Sequence, residues 1–143
     1  MFITDQHRNQ ITTYLNEMER QFKVLQLLKP HSQAEFTDNP VLQAAGERAL
    51  HIALEGLTDI GNLIIDALIM RDPASYEDIL TILTEEGVFE KAFSDRFMGA
   101  VRFRKALAHE YLTLTTEAVY EAVQNYADDF PTLRDSIAKY VGL

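Results

Sequence analysis

PVLQAAGERALHIALEGLTDIGNLIIDALIM, residues 40–70, places apolar side chains at three- and four-residue steps with almost no interruption, the period of an α-helix. Asn39 ahead of Pro40 reads as an N-cap followed by proline at the first helical position, where the missing N–H has no intrahelical partner to lose. At 1.5 Å per residue the helix would run roughly 45 Å, and Gly56 and Gly61 weaken it. A rod of that length needs partner helices along its whole extent, which makes it the axis of a bundle.

The flanking sequence supplies those partners. Upstream, a first helix is predicted from near Thr4, with Asp5 in its first turn, through Ile11, Tyr14, Leu15, Met18, Phe22, Leu25 and Leu28 until Pro30 stops it. PHSQAEFTDNP, residues 30–40, reads as a loop. Downstream, Asp72-Pro73 repeats the cap-then-proline pattern and opens a short helix over Tyr76, Ile79, Leu80 and Leu83 that ends at Gly87. A fourth helix begins near Phe89 and runs through Phe93, Phe97, Ala100, Val101 and Leu107. The Thr113–Thr116 cluster offers caps for a fifth through Val119, Tyr120, Val123 and Tyr126. Asp128-Asp129-Phe130-Pro131 breaks that helix, and Leu133 to Val141 makes a last short one. No segment alternates as a strand does, and no repeat or linker divides the chain. The expectation is an all-α, up-and-down bundle forming one domain over residues 1–143, with a long second helix as its axis.

A chain of 143 residues can bury a core without staples, and it has no cysteine to form a disulfide or a thiolate zinc site. No run of eighteen apolar residues occurs, and MFITDQHRNQ lacks the basic-then-apolar order of a signal peptide, so the expected location is the cytoplasm, with no membrane association. The net charge of -9 repels nucleic acid as a whole and suits solubility or a basic partner. An RNA role therefore requires a local exception.

Residues 91–109 are that exception, with Lys91, Arg96, Arg102, Arg104 and Lys105 against the single acid Asp95. Charge alone is also explained by a basic helix pairing with acidic neighbours. The segment ends in RKALAHEY, residues 104–111, where an arginine, a histidine and a tyrosine gather. Cutting RNA without a metal requires a base for the 2′-hydroxyl proton, an acid for the leaving oxygen and a fixed cation on the phosphate. His109 can act as base or acid near neutral pH, and the planar fork of Arg104 suits phosphate. Five helical residues turn through about 500°, which leaves Arg104 and His109 roughly 140° apart around the axis. Either the helix unwinds at His109 or a second copy of the motif completes the site. Arg104 and Tyr111, seven apart, would share a face if the helix persists, as would Lys105 and His109. The residues alone leave another reading open, in which a histidine at a helix end simply meets the dipole.

Glu47, His51, Glu55 and Asp59 recur every four residues and form one polar row on the long helix. No matching Glu-x-x-His stands on another helix, so the row is not read as a metal site, and no metal or other cofactor is expected. It is either a solvated face or a source of carboxylates, Glu55 or Asp59, that orient Arg104 or His109. His7 and His31 read as surface residues. The Phe89, Phe93, Phe97 and Phe103 series and Tyr14, Tyr120, Tyr126 and Tyr140 read as core or dimer surface.

FRKALAHEY resembles the R-x4-H-x-Y signature of the HepT-like toxins of the HEPN superfamily, and AGERALHIALEGLTDIGNLII resembles that family's long second helix. Helix order and motif position agree, so the resemblance covers nearly the whole chain. It implies the HEPN fold and the toxin half of a HEPN/minimal nucleotidyltransferase toxin-antitoxin pair. It also implies a homodimer in which two R-x4-H motifs meet in one cleft and cut RNA without a metal, with Arg104 and His109 as the catalytic pair and Arg102 and Lys105 as phosphate-binding support. Tyr111 would be the residue modified by the nucleotidyltransferase antitoxin or used to position substrate. The family commonly has asparagine after the arginine, where this chain has Lys105. Two further functions stay open at this point: a catalytically weak HEPN protein that binds, and is modified by, a nucleotidyltransferase, and a plain helical dimerisation module.

Overall fold

Thr4 accepts the His7 N–H while the His7 ring accepts the Thr4 N–H, a reciprocal cap that starts α1 (Asp5–Leu28). This computed structural model describes residues 2–143. The helices that follow are α2 (Gln33–Asp38), α3 (Pro40–Ala67), α4 (Tyr76–Glu85), α5 (Lys91–His109), α6 (Thr116–Tyr126) and α7 (Phe130–Val141), with a 3-10 turn over Ala127–Asp129 before the last. No strand occurs among the described residues, as expected of an all-α chain.

The expected long helix is α3, capped by Asn39 with Pro40 at its first position. It becomes the third helix because residues 30–40 are not a plain loop. Ser32 and Glu35 form a capping box, and Phe36, 1 % exposed, anchors the six-residue α2 to the core. α4 is capped by Ser75, whose side chain accepts the Asp78 N–H, so Asp72-Pro73 lies outside the helix rather than opening it. Thr115 caps α6, within the threonine cluster that the sequence singled out. α7 starts three residues earlier than expected, with Pro131 in its first turn. α3 also ends before Met70, because Ile69 takes a left-handed conformation (φ 52). The Ile69 N–H then reaches Asp66 O and the Met70 N–H reaches Ile65 O, the paired bonds that close a helix end.

α3 is the axis. α1 packs along it most extensively, and α2, α4, α5 and α6 surround the rest. Gly61 lets α4 come close, since a side chain there would collide with Ile79 and press on Leu83. α7 runs antiparallel to α1: Arg8 Nε donates to Val141 O at 2.7 Å at one end, and Gln26 Nε2 donates to Asp128 at 2.9 Å at the other. Phe97 is fully buried, stacked on Phe93 at 5.4 Å and edge-on to Phe130 at 5.5 Å, so the phenylalanine series of α5 supplies core. His7, expected at the surface, is half-buried in its cap. No helix among the described residues is long and apolar enough to cross a membrane.

Candidate active site

α5 buries Ser94, Phe97, Ala100 and Val101, and the same stripe continues at Arg104. The steps of three, four and three residues from Ser94 that drive Phe97 and Val101 into the core thus draw the arginine inward as well. Arg104 is 8 % exposed, and a buried cation requires a partner. Two groups meet it. Glu55 on α3 brings Oε1 to 2.6 Å from Arg104 Nε, and the Tyr76 ring at the start of α4 lies under the guanidinium, with Cζ 3.5 Å from the ring centroid. The Glu55 contact is a close ion pair rather than an aligned hydrogen bond, since neither Oε1 nor Nε completes hydrogen-bond geometry. One edge and one face of the guanidinium are therefore fixed by two different helices.

Arg104 also forms part of the wall of an open cleft of about 290 Å³, together with Arg102, Lys105, His109, Tyr76 and Glu77. Four of the expected site residues thus share one concavity, despite the angle between Arg104 and His109. The helix stays regular through His109 and departs from helical geometry only at Glu110 (φ -111, ψ 38), so Arg104 and His109 line the cleft from different sides of α5. Arg102, Lys105 and His109 are exposed, and Lys105 approaches Glu110 only to 3.9 Å. The cleft is a basic patch in an acidic protein.

Tyr111 lies outside this arrangement. Because α5 stops at His109, the shared helical face proposed for Arg104 and Tyr111 does not form, and Tyr111 projects into solvent at 77 % exposure beside the equally free Leu112. Of the polar row on α3, Glu55 pairs with Arg104, and His51 places Nε2 at 3.3 Å from the same Glu55 oxygen. Asp59, one turn further, is exposed. Desolvation, and next the charge of Glu55, raise its carboxyl pKa above the usual range, partly offset by Arg104. No cluster of three or more histidine, aspartate or glutamate side chains poised for a metal occurs among the described residues.

The sequence reading missed Tyr76, assigned there only to an apolar stripe, and the link from His51 to Glu55. The i, i+4 spacing of His51 and Glu55 was a usable signal for the second. Nothing local in the sequence places Tyr76 on Arg104, which depends on how α4 docks. A larger cleft of about 470 Å³ lies between the α4–α5 turn and α7, lined by Gly87, Phe93, Ser136 and Tyr140. It contains none of the expected site residues. Size alone does not assign a site, whereas convergent cations around a clamped arginine do so chemically.

The family model described as Ribonuclease HepT-like matches residues 11–138. Among curated proteins, "Putative RNase YutE" of Bacillus subtilis (strain 168) is 36% identical over 92 residues, which cover 62% of this chain and 64% of the relative, a little under two thirds of its length. The solved structure of the Bacillus subtilis cytosolic protein YutE superposes with a TM-score of 0.83 at 28% identity, covering 98% of this chain and 92% of that one. A tri-AMPylated Shewanella oneidensis HEPN toxin, solved in complex with MNT antitoxin, gives a TM-score of 0.78 at 25% identity over 90% of this chain and 96% of that one.

Proposed function

The chain belongs to the HepT-like ribonuclease family of the HEPN superfamily, and from that premise we propose that it is the ribonuclease toxin of a toxin-antitoxin pair, a single HEPN domain over residues 1–143 acting in the cytoplasm. The observation that carries this reading is the clamped Arg104 in a cleft shared with Arg102, Lys105 and His109. Glu55 engages the Nε side of the fork, which leaves the other guanidinium edge for a phosphate.

The reaction uses no metal. A histidine takes the proton of the 2′-hydroxyl, the 2′-oxygen attacks phosphorus, and the bond to the 5′-oxygen breaks as a second acid returns a proton to it. The products are a 2′,3′-cyclic phosphate and a 5′-hydroxyl. Arg104, preorganised by its two partners, stabilises the charge that develops on the phosphoryl oxygens. One protomer supplies one His109, so base and acid together call for a homodimer with two motifs across a two-fold axis. The antitoxin is a nucleotidyltransferase of the kind seen with the Shewanella toxin. Tyr111 would accept the nucleotidyl group: it is exposed enough to enter another enzyme's active site and only two residues from His109. Its added phosphate would then pair with Lys105 or Arg104 and block the cleft.

The decisive experiment incubates purified protein with RNA in EDTA and compares wild type with Arg104→Ala and His109→Ala. Cleavage that survives chelation, ends in a cyclic phosphate and disappears in both variants is the expected result. Cleavage that requires an added divalent ion, or that persists in His109→Ala, overturns the mechanism. A folded wild-type dimer that cuts nothing but is still modified on Tyr111 would favour the catalytically weak reading, with Lys105 in the usual asparagine position as the residue to revert first.

A further inference from the structure

Within the polar row on α3, His51 takes no part in the proposed chemistry. His51 approaches the same Oε1 of Glu55 that faces Arg104, from the helical turn before it. We propose that His51 is a positioning residue for Arg104, acting through the single Glu55 oxygen that both contact. The inference rests on the reading of Arg104 as the phosphate-binding cation.

An ordinary i, i+4 pair on a helix surface keeps its carboxylate in water. Glu55 Oε1 is instead buried, and its contact with Arg104 Nε lacks hydrogen-bond alignment. A buried oxygen held only by a misaligned charge is under-restrained, and the His51 ring at 3.3 Å is the second group that limits its movement. The other charged groups around the ring are Glu47 and Arg48, one turn back on α3, while α5 presents Leu107 beside them and Arg104 beyond Glu55. With a neutral ring, His51 Nε2 stands 3.3 Å from Oε1 without hydrogen-bond alignment, and Glu55 remains fully committed to Arg104. With a protonated ring, two cations compete for one oxygen, Arg104 is held less firmly, and its charge is less neutralised. The histidine thus sets how rigidly the guanidinium is presented to the cleft.

The test reads Arg104 directly. In the intact protein without RNA, the Arg104 Nε–H resonance, assigned by its loss in Arg104→Lys, is followed by NMR from pH 5.5 to 8. In wild type it should move with the same midpoint as the His51 ring protons. In His51→Gln, which keeps a donor but cannot titrate, it should stay sharp and independent of pH. In His51→Ala it should broaden at every pH. Asp59→Asn, which removes the neighbouring carboxyl, should leave the wild-type movement in place. An Arg104 signal that stays fixed while His51 titrates, or that moves equally in His51→Gln, overturns the proposal. A second measurement uses RNA cleavage at pH 7.5: His51→Ala should lose up to about fivefold in kcat, as fits one partly screened contact, and His51→Gln should recover it. A wild-type protein that cleaves no RNA would defeat the ribonuclease reading, while the resonance would still decide whether His51 controls Arg104.

Discussion

Replacing Glu55 with glutamine keeps the side-chain shape and removes the one carboxylate that, among the described residues, pairs with Arg104. The Arg104 side chain is 10% exposed and Glu55 32%, so the pair is neither a surface bridge nor fully buried. Exposed pairs contribute about 0–1 kcal/mol, and breaking a fully buried pair costs about 3–5 kcal/mol because a charge is left without a partner. The intermediate burial places Glu55→Gln at about 2 kcal/mol of destabilisation. For a chain of this size that is a fall in Tm of about 4–8 °C. The stack on Tyr76 remains, which prevents the full buried-charge penalty. Loss of Glu55 also relieves its push on Asp59, so the comparison belongs in an Asp59→Asn background, where that second effect is absent. The assay is a double-mutant cycle with Arg104→Met followed by thermal and urea unfolding. Removing the cation as well should restore most of the loss, since no uncompensated charge remains. If the single-variant effects add to within about 0.5 kcal/mol, the residues are independent and the clamp is not an energetic unit.

Three other substitutions test the frame that holds the site. Ile69, left-handed and 71% exposed, sits where glycine or asparagine is at ease, so Ile69→Asn should stabilise by about 1 kcal/mol, and an unchanged or lower Tm would refute the strain. Gly61→Ala should destabilise by about 1–2 kcal/mol, as collision with the buried Ile79 outweighs the gain in helix propensity; a higher Tm would mean that α4 can move away freely. Asp78 receives two hydrogen bonds from Arg71 and one from the Ala74 N–H, with Arg71 the larger influence, and its pKa is lowered from 3.8 to about 2. A depressed carboxylate contributes stability above its unfolded value of 3.8 and loses it as the pH falls through its folded value of about 2, so wild type should exceed Asp78→Asn at pH 7 and match it only below that folded value. A gap of equal size in both conditions would show that the ionised pair is not its source.

Most of the fold was legible because its signals are local. Asn39-Pro40, the apolar period of α3 and the threonine cap of α6 each act within one or two turns, and each stands where the sequence placed it. The errors came from punctuation of the wrong kind. Ser32-x-x-Glu35 is a capping box inside a stretch dominated by proline and asparagine, and it carries a buried phenylalanine. The end of α3 went unread because the position that usually holds glycine holds isoleucine, a residue that disfavours the conformation it adopts there.

The site was legible as a list of residues and not as a geometry. Arg104, His109 and Glu55 stand out because arginine, histidine and glutamate are conspicuous on apolar helices, yet the helical wheel separates Arg104 from His109 and suggests two unrelated faces. Two facts of the fold join them. Arg104 lies on the core stripe of α5, so it is drawn inward between Glu55 and Tyr76, and His109, the last residue of α5, is exposed on the wall of the same cleft. The same ending separates Tyr111 from Arg104 and exposes it. A cation fixed from two sides and a histidine at a helix end with room to adjust are suited to different tasks. The first must hold charge without reorganising, and the second must move a proton to or from groups whose positions change during the reaction.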